Sequence, residues 1–307
     1  MSDSRSDKRK KRSKKKIIIG NIVGLAIIGV FALGVFGASK LYPSMFGKGD
    51  STASAEKKKP QEVKPKPTDI IKGNNTTYEG KNYSVAAKDV EAMLNNTYVG
   101  EGKKVFLTFD DGPSPNTEKV LDVLDKEGVK ATFFVLGERL EDEKSKVILK
   151  RTLEGGHAIA NHSYTHNLKK LYPGRKVDVH YFMEEFNKTN NLMKEILGED
   201  FNSKVLRMPG GEMSRRYYKD ANLPELRETF AKDNIYSIDW NALNGDAEGK
   251  KYTTEEMMNK VIKSTGDQEN VVILMHDTFG KQKTAEMLPQ IIKFYKEKGY
   301  EFKTISN

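Results

Sequence analysis

The stretch VFLTFDDGP, residues 105–113, joins a short β-rich run to an abrupt break in the strand pattern. Successive side chains on a straight strand point to opposite faces, so Asp110 and Asp111 would ordinarily diverge. Because Gly112-Pro113 interrupts the strand, both carboxylates can instead turn into one pocket. A simpler interpretation, that the two acids cap the following turn, stays open and is favoured when this stretch is considered in isolation.

From this strand onward, β-rich and helix-like segments alternate to the end of the chain. The β-rich runs are Val105–Phe109, Ala131–Leu136, His157–Ala160, Val205–Met208, Tyr236–Asp239, Val271–Met275 and Tyr300–Ile305. The helix-like runs are Glu118–Leu124, Lys144–Leu153, Val177–Leu197, Leu223–Ala231, Thr253–Lys263 and Glu286–Lys298. This alternation predicts an α/β protein with a parallel sheet. About 200 residues are few for the eight units of a complete (β/α) barrel, so a smaller barrel and an open sheet both remain open on pattern alone.

The distribution of charge argues against a nucleic-acid partner. The chain has 307 residues and a formal net charge of +9. The excess lies near the N-terminus, because residues 1–16 carry +7 and residues 40–72 carry +4, whereas residues 73–307 carry −2. A globular part of net negative charge gives little reason to expect phosphate binding. The absence of cysteine also excludes disulfides, thiolate metal sites and a cysteine nucleophile.

The N-terminal residues have the pattern of a membrane anchor. A basic tail, residues 1–16, precedes residues 17–39, which carry no charged side chain. A helix of that length, rising about 1.5 Å per residue, crosses a hydrocarbon core of about 30 Å. The basic flank predicts a single-pass protein of the cell membrane, with its N-terminus cytoplasmic and the rest extracellular. A cleaved signal peptide, which would release a secreted form, is the alternative.

Composition divides the remaining chain into three parts. Residues 40–75 are rich in Lys, Pro and Ser and are predicted to form an extended, disordered linker. Residues 76–102 are a lead-in segment with a helix-like run around Val85–Leu94, which we expect to pack against the following domain. Residues 103–307 are predicted to form the globular domain.

Two histidines four positions apart, His162 and His166, follow the third β-rich run. If they occupy one helical turn, both imidazoles lie on the same face. Two neutral imidazoles placed in this way suit a transition-metal ion. A histidine pair at this spacing is only moderately specific, so the pair does not establish a metal site by itself.

Three further strand ends carry candidate functional residues. Arg207 precedes Pro209-Gly210-Gly211 and could neutralise a carboxylate, although a turn with a surface arginine explains it equally well. Trp240 is the sole tryptophan and could be simple core. Leu274 and His276 end a strongly apolar run, and a histidine in such a place is more often functional than structural.

Taken together and in this order, the five motifs resemble the polysaccharide deacetylase (NodB homology) family, carbohydrate esterase family 4. The resemblance covers residues 103–305. It implies a distorted (β/α)-barrel with about seven parallel strands. It also implies a metal-dependent hydrolase that removes N- or O-acetyl groups from a polysaccharide.

The resemblance implies a role for each motif residue. Asp110 would be the catalytic base and His276 the general acid, supported respectively by Arg207 and Asp246. A divalent ion, first Zn²⁺ and alternatively Co²⁺ or Ni²⁺, would be held by Asp111, His162 and His166. The substrate-binding positions would be Gly210, Trp240 and Leu274. The family often has an aromatic residue where this chain has Gly210, so a backbone N–H donor to the oxyanion is kept there while a side-chain contact with sugar is lost.

An outward-facing enzyme on an extended linker first meets the cell wall. We therefore expect a cell-wall polysaccharide substrate, most simply N-acetylglucosamine of peptidoglycan. Within the same chemistry, the alternatives are chitin oligomers, an exopolysaccharide, N-acetylmuramic acid or an O-acetyl ester. A non-catalytic wall-binding module is the alternative of another class, although a binder needs no acid, base or metal. The sequence does not predict the oligomeric state.

Overall fold

A computed structural model describes residues 64–307, which belong to a single compact unit. The strands are β1 Ser84–Ala86, β2 Lys104–Gly112, β3 Thr132–Val135, β4 Ala158–Asn161, β5 Val205–Leu206, β6 Tyr236–Ser237, β7 Ala242–Leu243, β8 Asn270–His276 and β9 Glu301–Ser306. The α-helices are α1 Ala87–Leu94, α2 Pro115–Glu127, α3 Glu143–Glu154, α4 Leu168–Leu171, α5 Val179–Leu197, α6 Glu212–Tyr217, α7 Leu223–Asp233, α8 Thr254–Thr265 and α9 Gln282–Glu297.

The basic tail, the anchor and most of the linker predicted above lie outside the described residues. From residue 64 to the end, no helix combines the length and the apolar character needed to cross a bilayer.

The sheet forms an incomplete barrel of parallel strands in chain order. β2 lies at its centre, pairing with β3 on one side and with β8 on the other, both in parallel. From β3 the sheet continues through β4 and β5 to β6, and from β8 it continues to β7. Within residues 64–307, β6 and β7 are not paired, so the barrel is open along a seam between them. The predicted α/β fold with a barrel-like parallel sheet is confirmed, and the sheet stays unclosed at this seam.

The alternation of side chains along β2 determines what the barrel mouth contains. Val105 and Leu107 lie in an outer hydrophobic cluster with side chains of α2 and α9, whereas Phe106 lies in a second cluster inside the barrel. Because side chains alternate with a period of two, Thr108 and Asp110 share the inner face with Phe106. The strand thus buries apolar residues at its start and delivers polar ones to the C-terminal mouth.

The lead-in segment is built into the barrel. β1 pairs in parallel with β9, and α1 contributes Ala87, Val90 and Met93 to the inner cluster. Residues 64–75, assigned to the linker by composition, are also part of the folded structure. Asn75 is fully buried, and its amide donates to the carbonyls of Ile159 and Ile305 at 3.1 and 3.2 Å. Side-chain hydrogen bonds hold this polar stretch, so the boundary predicted at residue 76 from the Lys, Pro and Ser content lay too late in the chain.

Candidate active site

The end of β2 brings two adjacent carboxylates to the same side of the strand. Asp111 has φ of +72°, and the register of β2 against β3 shifts between Asp110 and Gly112. Such an irregularity turns a side chain away from its regular face. As a result, His162 Nε2 lies 3.7 Å from Asp110 Oδ2 and 3.5 Å from Asp111 Oδ1. The expected shared pocket is present, and a local bulge within the strand produces it.

Asp110 is buried and held by an arginine that is itself fully buried. Arg207 Nη1 donates to Asp110 Oδ1 at 2.8 Å and to Thr108 Oγ1 at 2.9 Å. The guanidinium also donates to the carbonyls of Ile238 and Asp239 at 2.9 and 3.2 Å, and stacks on Phe134 at 4.2 Å. A charged hydrogen bond to one oxygen orients the carboxylate and leaves Oδ2 directed towards His162.

His162 and His166 converge, but the helical turn expected between them does not form. The segment after β4 is irregular, with φ of +69° at Ser163 and +54° at His166. These left-handed residues turn the chain so that the two rings lie 5.1 Å apart between centroids. The interpretation from i,i+4 spacing was therefore wrong about the local backbone, although it paired the correct side chains.

The donor atoms of Asp111, His162 and His166 are suited to a divalent cation. One atom from each lies within 4.8 Å of the others. Asp111 Oδ1 is buried without a hydrogen-bond partner in the described part of the chain. His162 Nδ1 lies 2.7 Å from the Arg207 carbonyl, which places the ring proton on Nδ1 and leaves the Nε2 lone pair for a metal. Burial also lowers the pKa of His162, which favours the neutral ring that metal binding requires.

His276 stands beside Asp110, because the two residues are register partners on β8 and β2. Asp246 Oδ1 accepts from His276 Nδ1 at 2.8 Å, and Asp246 Oδ2 accepts from the His276 backbone N–H at 2.8 Å. Burial alone would lower the pKa of His276, but the hydrogen bond and charge of Asp246 outweigh it and raise the pKa to about 9. His276 is therefore held as an imidazolium with Nε2 available as a proton donor.

Two glycines shape the loop after β5. Gly210 has φ of +75° and Gly211 has φ of +79°, a region that other residues rarely adopt. Among the described residues, the Gly210 backbone N–H has no acceptor, so it can donate to a ligand. A Cβ at Gly211 would lie only 2.8 Å from the Trp240 ring, so the loop and the indole pack directly together.

Leu274 lies two residues before His276 on β8 and is nearly buried. The two side chains share one face of the strand because of its period of two. Leu274 is thus an apolar neighbour of His276 on that face of β8.

Four supporting residues were not identified from the sequence. Thr108 shares the Arg207 guanidinium with Asp110, and Thr284 donates to Asp246 at 2.8 Å. Asp239 accepts from the backbone N–H groups of Glu212 and Met213 at 2.8 and 2.7 Å, which anchors the start of α6 beside Gly211. Asp277 is buried and accepts from Thr117 at 2.6 Å. Asp239 and Asp277 each adjoin a motif residue, Trp240 or His276, and that adjacency was the available signal.

Comparison with known proteins identifies the family of this chain. Residues 98–228 match the family model described as polysaccharide deacetylase. A peptidoglycan-N-acetylglucosamine deacetylase of Bacillus cereus is 31% identical over 236 residues, covering 71% of this chain and 77% of that protein. A bifunctional xylanase/deacetylase of Pseudobutyrivibrio xylanivorans is 32% identical over 204 residues, covering 66% of this chain, and this chain spans only 30% of its length.

A solved structure extends the likeness to a larger share of the chain. The structure of a Streptococcus mutans CE4 esterase superposes with a TM-score of 0.72 at 37% identity, covering 78% of this chain and 100% of that one. The chain therefore belongs to the polysaccharide deacetylase family, carbohydrate esterase family 4, and the resemblance drawn from the motifs is confirmed.

Proposed function

We propose that this protein is a metal-dependent enzyme that removes N-acetyl groups from cell-wall polysaccharide, acting on N-acetylglucosamine of peptidoglycan. The observation that carries the proposal is the grouping at one barrel mouth. A three-donor cluster, an arginine-held carboxylate and a carboxylate-held imidazole all meet at the ends of β2, β4 and β8. The name of the B. cereus relative supports the choice of sugar.

Asp111, His162 and His166 are the residues that would hold the cation. The Asp-His-His set suits Zn²⁺ first, and Co²⁺ or Ni²⁺ as alternatives. Such an ion, when bound, supplies Lewis-acid polarisation of the acetyl carbonyl and makes a neighbouring water more acidic.

Asp110 acts as the general base in this mechanism. Its Oδ2 accepts a proton from water as the water oxygen bonds to the acetyl carbon. Arg207 donates to the other oxygen of Asp110 and so orients the carboxylate for this step. The free N–H of Gly210 donates to the oxyanion that develops on the former carbonyl oxygen.

His276 completes the reaction as the general acid. As the C–N bond breaks, His276 Nε2 gives its proton to the leaving nitrogen, so that acetate and a free amine are formed. Asp246 accepts from Nδ1 and stabilises the imidazolium before this transfer. Leu274 would wall the pocket for the acetyl methyl, and Trp240 would contact the sugar from the seam of the barrel.

We also propose that the enzyme works outside the cell while attached to its membrane. The uncharged run at residues 17–39 and the basic residues before it support this arrangement. Residues 40–63 would carry the catalytic domain away from the bilayer towards the wall.

Acetate release by the full-length chain, purified in detergent, tests the proposal. Peptidoglycan glycan strands should lose acetyl groups from N-acetylglucosamine, as read by mass spectrometry of the product sugars. A chelator should abolish the release, and Zn²⁺, Co²⁺ or Ni²⁺ should restore it. Loss of acetyl groups only from N-acetylmuramic acid, chitin oligomers or O-acetyl esters would reassign the substrate. Binding of glycan without any acetate release would favour the wall-binding module.

A further inference from the structure

Two loops at the catalytic end of the barrel carry a pair of side chains that the mechanism does not use. Arg139 lies in a 3-10 helix, Gly137–Glu141, just after β3, and Phe279 lies between β8 and α9. The Arg139 guanidinium carbon is 5.3 Å from the centre of the Phe279 ring. Phe279 is 59% exposed, so its ring remains accessible to a ligand.

The loop that carries Arg139 is attached to both halves of the donor cluster. The Leu136 backbone N–H donates to the Gly112 carbonyl at 3.0 Å, beside Asp111. The Gly137 N–H donates to the Ser163 carbonyl at 3.0 Å, beside His162. Arg139 is therefore placed by the same backbone that places the candidate metal ligands.

Phe279 is attached to the other side of the site. It follows His276 by three residues, so its Cα lies within about 11 Å of the His276 Cα. The loop is held to the start of α2, because Ser114 Oγ donates to the Asp277 carbonyl at 2.6 Å. The Arg139–Phe279 pair thus bridges the two loops that flank the end of β2.

The charge of Arg139 is not matched by a carboxylate in the described part of the chain. Five of the other six described arginines form ion pairs with carboxylates, and Arg175 is the exception. The five are Arg151, Arg207, Arg215, Arg216 and Arg227. Arg139 makes none with residues 64–307, and its Nε is buried without a hydrogen-bond partner. A guanidinium binds a carboxylate through two parallel hydrogen bonds, so an unpaired one beside an aromatic face suits an anionic, ring-shaped ligand.

We propose that Arg139 and Phe279 form a subsite for a carboxylate-bearing sugar adjacent to the sugar that is deacetylated. Phe279 stacks against the apolar face of the sugar ring, and Arg139 binds the carboxylate. The inference rests on the proposed function and narrows its substrate class. Muramyl sugars of peptidoglycan carry a lactyl carboxyl group, either free or amide-linked to a peptide with carboxylates of its own, whereas chitin carries neither.

Direct binding measurements on the full-length chain in detergent test the subsite. The probes are a glycan tetrasaccharide of alternating N-acetylglucosamine and N-acetylmuramic acid with free lactyl carboxylates, its amide derivative, its peptide-bearing form, and chitotetraose. Arg139→Gln should raise Kd for a carboxylate-bearing probe about tenfold, the size expected for loss of a charge-assisted hydrogen bond. The Kd of this variant for the amide derivative and for chitotetraose should equal that of the wild type.

Companion variants separate recognition from folding. Arg139→Lys keeps the charge without the two-pronged geometry and should give an intermediate Kd. Phe279→Ala should weaken binding of all four probes. Arg151→Gln, on the outer face of α3, removes an arginine of the same chain and should leave every Kd unchanged.

The outcomes distinguish the sources of the carboxylate. A loss confined to the free-lactyl probe assigns the lactyl group, and a loss confined to the peptide-bearing probe assigns the peptide. Equal losses of affinity for the charged and amidated probes in Arg139→Gln, or no loss with any probe in that variant, would overturn the subsite. Acetate release is scored separately, so an inactive wild type would refute the proposed function while the binding data still decide the subsite.

Discussion

The two halves of the site are assembled in different ways. The donor half, Asp111, His162 and His166, depends on left-handed backbone at residues other than glycine. It also leaves a buried carboxylate oxygen without a hydrogen-bond partner among residues 64–307. The acid half, Asp246 and His276, follows a regular strand, and Asp246 accepts hydrogen bonds on both carboxylate oxygens.

This contrast shows which half needs a ligand. A left-handed non-glycine residue costs about 1–2 kcal/mol, so the donor half carries strain that cation binding can offset. The acid half is complete through hydrogen bonds within the protein. Removing the metal should therefore disturb the donor half and leave the acid half assembled.

Loss of the side chains that would hold the metal should have the largest effect on metal binding and turnover. The His162→Ala/His166→Ala double variant should lose bound metal and more than about a thousandfold in turnover, because Lewis-acid stabilisation is worth several kcal/mol. Metal content by mass spectrometry and acetate release check this together. His180→Ala, at an exposed position on α5, is the matched control and should keep both. Unchanged metal occupancy in the double variant would show that these histidines are not metal ligands.

Substitution of the proton-transfer residues should have the next largest effect on turnover. Asp110→Asn and His276→Ala should each lower turnover by about 10²–10⁴-fold, the usual contribution of a positioned acid or base. Both variants should retain metal, because neither residue belongs to the donor half. Full activity in either one, measured as acetate release, would refute its role.

The acid half should contribute to stability in a pH-dependent way even after the metal is removed. His276 has a folded pKa of about 9, above the ordinary value of 6.5. Its stabilisation is therefore fully present below pH 6.5 and is lost as the pH rises through 9. In chelator-treated protein, this loss should amount to about 3 kcal/mol in the free energy of unfolding.

Asp246→Asn removes the partner that raises the pKa and is the matched comparison. Denaturant unfolding of this variant should show a smaller decline over the same pH range. Parallel declines in both proteins would mean that the pair does not act as described.

Substitutions in the loop after β5 should have the smallest effect, and we expect it on stability. Gly211→Ala places a Cβ 2.8 Å from Trp240 at positive φ, whereas Cβ at Gly210 meets no atom closer than 3.9 Å. Both substitutions carry backbone strain of about 1–3 kcal/mol, and only Gly211→Ala adds a clash. Thermal unfolding should therefore rank Gly211→Ala below Gly210→Ala in stability. The reverse order would contradict the packing of the loop on Trp240.

Much of the fold was predictable because its strands and helices carry strong periodic patterns. β2 and β8 contain five-residue β-rich runs, and the predicted helices overlap α2, α3, α5, α7, α8 and α9. β7, Ala242–Leu243, is too short to show an alternation. β1 was missed because its partner, β9, lies at the far end of the chain, and pairing over that distance leaves no local signal.

The residues of the candidate site were easier to predict from the sequence than their spatial arrangement. Motif order predicted the residues that the structure brings together, but no sequence rule places Asp111, Ser163 and His166 at positive φ, because none of them is glycine. Tertiary contacts impose that backbone. The hydrogen bonds from Thr108 and Thr284 escaped notice for a related reason, since threonine within a strand or a helix end carries no distinctive pattern.

Anomalous X-ray diffraction from crystals grown with Zn²⁺, recorded at the zinc absorption edge, tests the central arrangement most directly. We predict one strong peak bounded by Asp111 Oδ1, His162 Nε2 and His166 Nε2, with the His276–Asp246 hydrogen bond intact beside it. A peak located elsewhere on the barrel, or none between those three atoms, would contradict the account.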